Sequence, residues 1–170
     1  FRENTTGHSA TNDGDATVIG SHNHFLAYTH IAHDCRVGSH IVMSNVGTLA
    51  GHVIVEDHAI IGGLAAVHQF CRIGRMAIIG GCSKVVQDVP PFMLADGNPA
   101  ETKALNKVGL ERNGVSEEAQ TALKKAFKIL FRDGLTVSNA LVKIEQEVPA
   151  LSEVQHLIAF VKASERGISK

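Results

Sequence analysis

A repeat of six residues dominates the first half of the chain. Twelve large apolar residues lie six positions apart, and the next position in each hexad is usually small. A period of six fits neither an α-helix nor an alternating strand, but it is the repeat of a parallel β-helix whose coils have three short flat faces. We therefore predict coils of eighteen residues, stacked roughly 4.8 Å apart. The twelve residues are Ile19, Phe25, Ile31, Val37, Met43, Leu49, Val55, Ile61, Val67, Ile73, Ile79 and Val85.

The repeat begins near Val18 and ends at Pro90-Pro91, where two missing amide donors stop ladder pairing. A polar stretch over 5–15 predicts a protruding loop before the coils. The prediction is a mainly β protein with a helical tail. We place a β-helical domain over 1–95 and an α-helical domain over 96–170.

The tail opens with a turn-rich linker over 95–99, and its apolar residues then recur at helical spacing. This spacing predicts a short helix over 102–112. A second helix begins after Ser116, which we expect to be its N-cap, and ends at Gly134. Further helices follow from Val137 and from Ser152, the latter residue predicted as a cap.

Composition excludes several classes of protein. The net charge is −1, which gives no support to a general nucleic-acid binder, and no apolar run approaches a membrane span of ~20 residues. Cys35 and Cys71 are two coils apart, roughly 9.6 Å by strand spacing and too far for a disulfide. With Cys82 they are interpreted as reduced interior residues of a cytosolic protein. Because the repeat starts soon after Phe1, we expect a carboxy-terminal piece of a longer protein.

Nine of the ten histidines precede residue 69, and the eighteen-residue coil sorts them into two groups. The first is a vertical ladder of His22, His40 and His58, one coil apart at a corner. Turn chemistry explains such exposed corner residues, although stacked imidazoles can pick up a metal adventitiously.

The second group of histidines converges on one patch. Three imidazoles with a carboxylate fit either a zinc site or an acid/base site. Asp34 can orient His33 if the backbone bends at a corner. A glycine stacked on His33 would let a reacting carbonyl approach a backbone N–H. The column contains His33, Gly51 and Gln69, with His52 and His68 on either side and His30 three positions away.

Several motifs at these positions resemble the UDP-N-acetylglucosamine 3-O-acyltransferase family. They are H-I-A-H-D-C at 30–35, L-A-G-H-V at 49–53, A-V-H-Q-F at 66–70, G-G-C at 80–82 and N-K-V-G-L-E-R at 106–112. The resemblance covers essentially the whole chain. It implies a left-handed β-helix, a homotrimer with sites between subunits, and the first step of lipid A biosynthesis. No cofactor is implied, since the acyl chain arrives on the phosphopantetheine of acyl carrier protein.

The resemblance also implies roles for individual residues. His33 is the general base that deprotonates the glucosamine 3-hydroxyl, Asp34 is its partner, and the Gly51 amide stabilises the oxyanion. Gly81 lies where family members limit acyl chain length, so its lack of a side chain implies a long hydroxyacyl chain. The remaining substrate-binding residues implied are His8, His30, His52, His68, Gln69, Asn106 and Arg112.

A cluster of basic residues on the helix after Ser116 fits either an ordinary solvated face or a contact with acidic acyl carrier protein; the resemblance favours the contact. Three alternatives on the same scaffold stay open for this chain: a zinc-dependent carbonic anhydrase, another hexapeptide-repeat acyltransferase, and a trimeric protein without catalytic activity. None of the residues is assigned to a metal. The basic cluster consists of Lys124, Lys125, Lys128 and Arg132.

Overall fold

The amino-terminal part of the described chain is a left-handed parallel β-helix of about four coils, and helices follow it. A computed structural model describes residues 16–170; the predicted loop over 5–15 and His8 lie outside the described residues. Each strand is two residues long, and strands one coil apart pair in parallel, so three sheets form the faces of a prism. The strands are β1 Val18–Ile19, β2 His24–Phe25, β3 His30–Ile31, β4 Arg36–Val37, β5 Val42–Met43, β6 Thr48–Leu49, β7 Ile54–Val55, β8 Ile60–Ile61, β9 Ala66–Val67, β10 Arg72–Ile73, β11 Ile78–Ile79 and β12 Lys84–Val85.

The apolar residue of each hexad points into the prism, as its spacing predicts. Nine of the twelve are buried, from Val37 to Val85. Ile19, Phe25 and Ile31 remain partly exposed because they belong to the first described coil, which is covered from one side only. The hexad repeat therefore predicts the interior correctly.

The chain turns at three corners in every coil, and each corner holds one residue with positive φ. These residues recur every six positions from His22 to Cys82, with φ between 54° and 64°. The left-handed conformation is uncommon for residues other than glycine, asparagine and aspartate. Because the same corner repeats after eighteen residues, each set of corner side chains forms a vertical column on the surface.

The predicted linker and the start of the predicted helix over 102–112 are wrong. Residues 93–105 form an antiparallel hairpin of β13 Met93–Gly97 and β14 Ala100–Leu105, and β13 pairs with β11 to extend one sheet. Buried Ala100 and Thr102 alternate with exposed Glu101 and Lys103, a period of two that the helical interpretation missed. Only α1 Lys107–Arg112 is helical here, and the predicted domain boundary at 95–96 falls inside β13.

Three longer helices complete the chain: α2 Glu117–Phe131, α3 Val137–Glu147 and α4 Ser152–Lys162. The Ser116 cap is confirmed, since its side chain accepts a hydrogen bond from the Ala119 amide. The Ser152 cap is wrong by one residue: Leu151 is the N-cap and provides no side-chain cap. None of these helices, in the described part of the chain, is long and apolar enough to cross a bilayer.

The helices have their own core but are fastened to the β-helix by buried polar contacts. Asp88, at the end of the last coil, is only 1% exposed. Its carboxylate accepts hydrogen bonds from the Arg72 amide at 2.8 Å and from the Ser164 hydroxyl at 2.7 Å. The Ser169 amide donates to its carbonyl, so the end of the chain is held against the coils.

A second link joins α4 to the β-helix through Glu56. Its Oε2 lies 2.7 Å from His156 Nε2 and accepts the Arg75 amide at 2.8 Å. Burial alone would raise the pKa of Glu56, but the hydrogen bond and charge of His156, with Arg75 and Arg72, hold the pKa below its ordinary value of 4.5. The link is therefore strongest with the carboxylate ionised.

This link predicts acid-sensitive stability. A lowered folded pKa contributes stability that is present above the ordinary value of 4.5 and is lost as the pH falls through the folded pKa. We expect Glu56→Gln to lower the free energy of unfolding by about 2 kcal/mol at pH 7, and by less below pH ~4. Urea unfolding at both pH values measures the difference. The exposed Glu111→Gln is the control, expected to change stability by less than ~0.5 kcal/mol. Equal losses at both pH values would contradict the ionic role of Glu56.

The cysteines are free, and two of the three lie in the interior as predicted. The Cys35 thiol donates to the Ala50 carbonyl at 3.1 Å, and burial raises the pKa of Cys71 to about 11. The interpretation of Cys82 as an interior residue is wrong. It is exposed because it occupies the outward-facing corner position with φ 58°.

Candidate functional site

The candidate site lies at the corner that follows β3, β6 and β9. Backbone hydrogen bonds fix its register: the His52 amide donates to the His33 carbonyl, and the Phe70 amide donates to the Gly51 carbonyl. His33, Gly51 and Gln69 therefore stack in successive coils, as the eighteen-residue period predicts. Further residues of this corner form the neighbouring column Asp34, His52 and Phe70.

His33 and Asp34 form the closest polar pair of the site. His33 Nδ1 lies 2.6 Å from Asp34 Oδ2. Adjacent residues reach each other because Asp34 has φ 59°, the bend that the sequence analysis required. A carboxylate oxygen accepts, so Nδ1 carries the hydrogen and the lone pair of a neutral imidazole remains on Nε2. His33 is 57% exposed, so that nitrogen is accessible.

Gly51 lies directly against the His33 imidazole. A Cβ added at Gly51 would be 2.7 Å from both Cε1 and Nε2 of His33, which real Cβ atoms essentially never show. Among the described residues, the Gly51 amide donates no hydrogen bond. Gly51 is buried beside the imidazole, so its N–H, which donates to none of residues 16–170, lies close to a ring with a free lone pair.

His52 is held between two residues of its own column. Its Nε2 lies 3.6 Å from Asp34 Oδ2, which is within ion-pair distance, so the same carboxylate oxygen is close to both histidines. On the other side, the His52 ring stacks on Phe70 with centroids 4.7 Å apart and planes 13° apart. The His33 and His52 rings meet edge to face at 5.1 Å. These contacts fix the orientation of His52.

The other predicted histidines border the same corner. His30 faces outward from β3, opposite Thr48 of β6, and is exposed. His68 Nδ1 lies 3.1 Å from the Gln69 carbonyl and donates to it, which leaves Nε2 as an acceptor toward solvent. The structure therefore brings His30, His33, His52, His68 and Gln69 to one face and corner.

Gly81 lies at a different corner, one coil from Gly63. An added Cβ there would meet only the Gly63 carbonyl oxygen, at 3.3 Å. Within this chain there is room beside Gly81 that a larger residue would fill.

Arg112 lies on α1 and Asn106 is the N-cap of that helix; neither makes a hydrogen bond or ion pair with the corner among residues 16–170. Asn106 is 4% exposed, and its side chain accepts from the Gly109 amide and donates to the Met76 carbonyl at 2.7 Å. It therefore caps α1 and fastens it to the β-helix. Arg112 is exposed in the last turn of α1.

Two groups of histidines have metal-binding chemistry. The predicted ladder forms: His22 stacks on His40 at 5.1 Å and His40 on His58 at 4.7 Å, nearly in parallel, with His22 and His40 exposed and His58 half-buried. In the site, one ligand atom from each of His33, Asp34 and His52 lies within 4.8 Å of the others; among the described residues, only this group has three clustered ligands.

Sequence reasoning missed two features of the site. It did not place His52 on Asp34, and it gave Phe70 no role. The signal was present: Asp34, His52 and Phe70 are each eighteen residues apart. Applying the coil period to the column beside His33 would have placed these three residues next to one another, although not which of their atoms meet.

Known proteins resemble this chain in fold and in sequence. The family described as UDP-N-acetylglucosamine O-acyltransferase, domain 2, matches residues 88–169. An acyl-[acyl-carrier-protein]–UDP-N-acetylglucosamine O-acyltransferase of Burkholderia mallei is 45% identical over 99% of this chain. The chain spans 66% of the length of that relative.

Solved structures of proteins with the same description also match this chain in fold. The UDP-N-acetylglucosamine O-acyltransferase of Moraxella catarrhalis matches 91% of this chain and 60% of its own, with a TM-score of 0.85 and 41% identity. The UDP-N-acetylglucosamine acyltransferase of Campylobacter jejuni matches 90% of this chain and 69% of its own, with a TM-score of 0.82 and 32% identity. With sequence and fold matched across both the coils and the helices, the chain belongs to the UDP-N-acetylglucosamine O-acyltransferase family.

Proposed function

We propose that this chain carries the active site of an acyl-[acyl-carrier-protein]–UDP-N-acetylglucosamine O-acyltransferase, the enzyme of the first step of lipid A biosynthesis. The observation that carries the proposal is the His33–Asp34 hydrogen bond of 2.6 Å, beside the unused Gly51 amide. This arrangement leaves a basic nitrogen and an oxyanion donor next to each other, as transfer of an acyl group to a hydroxyl requires.

The reaction follows from these groups. His33 Nε2 takes the proton of the glucosamine 3-hydroxyl, and Asp34 stabilises the imidazolium that forms. The oxygen attacks the thioester carbonyl, and the Gly51 N–H stabilises the tetrahedral oxyanion. When this intermediate collapses, the carbon–sulfur bond breaks and the imidazolium returns its proton to the leaving thiolate.

Residues around the pair position the substrates. His30, His68 and Gln69 bind the sugar and phosphates. His52, whose orientation is fixed by Asp34 and Phe70, contacts the 3-hydroxyl of the acyl chain. The room beside Gly81 admits a long hydroxyacyl chain. Arg112 holds the nucleotide across a subunit boundary, because its planar guanidinium suits phosphate. Asn106 supports Arg112 by anchoring α1: its amide nitrogen donates to the Met76 carbonyl, and its amide oxygen accepts from the Gly109 N–H.

The proposed enzyme is a cytoplasmic homotrimer that needs no cofactor, since the acyl chain comes on the phosphopantetheine of acyl carrier protein. Its test is acyl transfer by the protein that contains this chain, from (R)-3-hydroxyacyl carrier protein to UDP-N-acetylglucosamine, followed by mass spectrometry. A product heavier by one hydroxyacyl group supports the proposal. Transfer only to an amino-sugar acceptor, or only from acetyl-CoA, would contradict it.

Acyl carrier protein is the expected partner of the basic cluster on α2. Lys125 donates to the Glu147 carbonyl and Arg132 to the Lys103 carbonyl, so both are engaged within the chain. Lys124 and Lys128 are exposed, and neither side chain makes a hydrogen bond or close ion pair with residues 16–170, although Lys128 interacts electrostatically with Asp133. These two cations are therefore the ones available to an acidic protein.

Charge reversal tests this surface. We expect Lys124→Glu with Lys128→Glu to raise the KM for acyl carrier protein about 10-fold or more and to leave kcat nearly unchanged, because opposite charge steers association. Steady-state kinetics at low and high salt measure the effect, which should shrink as salt rises. Lys162→Gln on α4 is the control for losing a surface cation outside the cluster; glutamine avoids the carboxylate repulsion that a glutamate would meet at Glu145, whose Oε1 lies 2.6 Å from Lys162 Nζ. A fall in kcat with unchanged KM would show that the cluster does not bind the carrier.

A further inference from the structure

We propose that His33, Asp34 and His52 form a Zn²⁺ site whose occupation abolishes the basicity of His33. The three ligand atoms lie within 4.8 Å of one another. Imidazole nitrogen and carboxylate oxygen are ordinary zinc ligands, and tetrahedral bonds of ~2.1 Å place ligand atoms about 3.4 Å apart. The ion is an inhibitor here and takes no part in the reaction.

The distances favour binding with little rearrangement. His52 Nε2 and Asp34 Oδ2 are already 3.6 Å apart, close to the tetrahedral spacing. His33 Nδ1 and Asp34 Oδ2 are 2.6 Å apart and must separate slightly, which the exposed His33 side chain allows. Stacking on Phe70 holds the His52 ring in place from the far side. The carboxylate offsets one of the two positive charges of the ion.

The consequence for His33 follows from which nitrogen binds. In the metal-free site the hydrogen is on Nδ1, toward Asp34, and the lone pair is on Nε2. A metal on Nδ1 needs that lone pair, so the single proton of the neutral imidazole moves to Nε2. Nε2 then donates and cannot accept a proton. The site loses its base although its outer face stays open; this part of the inference rests on the proposed function.

Calorimetric titration of the protein that contains this chain with ZnCl₂, after chelator treatment, tests the site without any acyl transfer. Because the exposed ladder is a rival site, the reference protein carries His40→Gln, which removes the middle imidazole of the ladder. We expect one tight Zn²⁺ per chain in this reference. Adding His52→Gln should weaken binding by at least about 100-fold, since even outer-shell changes cost 10- to 100-fold.

Two further results decide the inference. In two-bond ¹H–¹⁵N spectra of the reference, Zn²⁺ should move the His33 hydrogen from Nδ1 to Nε2. Equal affinity with and without His52, no binding, or an unchanged His33 tautomer would overturn the proposal. If the metal binds as expected but the enzyme shows no acyl transfer with or without Zn²⁺, the proposed function fails and the site stands.

Discussion

His33→Gln is expected to reduce acyl transfer about 10²- to 10⁴-fold, the usual contribution of a general base. Glutamine keeps a polar side chain but has no nitrogen that accepts a proton at neutral pH. The loss should appear in kcat, because the proton is transferred in the chemical step. Transfer to UDP-N-acetylglucosamine, followed by mass spectrometry, measures it.

Folding must be intact for this result to count. His33 is 57% exposed, so we expect the free energy of unfolding to change by less than ~0.5 kcal/mol. His40→Gln, at an exposed corner outside the site, is the matched control and should transfer at the normal rate. If the His33 and His40 variants retain equal activity, His33 is not the base.

Gly51→Ala is expected to have a comparable effect through a single methyl group. Its Cβ would lie 2.7 Å from the His33 ring, so the imidazole must move away from its present place against Gly51. Displacing a reacting group by about 1 Å can cost ~10²-fold in rate. We expect a loss of that order in kcat, measured by the same transfer reaction.

Gly63→Ala provides the comparison for Gly51→Ala. Gly63 lies at a corner in the same coil as Gly51, but its added Cβ would meet only ordinary contacts, the nearest at 3.4 Å from the Asn45 carbonyl oxygen. We expect nearly unchanged activity and similar thermal unfolding of both variants. Equal losses in the two would mean that corner glycines are needed for folding and that His33 is not displaced.

Much of the fold could be predicted because a β-helix is nearly one-dimensional. Strands one coil apart are neighbours, so adding eighteen to a residue number finds its partner, as with His33 and Gly51. That rule fails at residues 93–105, where the chain reverses into a hairpin. There Ala100 and Thr102 face inward for reasons that the hexad repeat does not contain.

The sequence predicted which residues come together in the site but not which of their side-chain atoms are in contact. The repeat brought His33, Gly51 and His52 together, and the bend at Asp34 was expected. Which partner each side chain chooses depends on rotamers and distances, so the sharing of Asp34 by two histidines needed coordinates. Asn106 shows the same limit. The resemblance implies a substrate-binding role, and only the coordinates add that its buried amide also caps α1.

The corner columns also bear on how such a protein changes over evolution. A substitution at His52 alters the surroundings of Asp34 and Phe70, one coil away on either side, before it affects its neighbours in sequence. Epistasis should therefore peak at separations of eighteen residues. Insertion of one whole coil would preserve every column and lengthen the prism, whereas insertion of a single hexad would rotate all later residues by one face and dismantle the site.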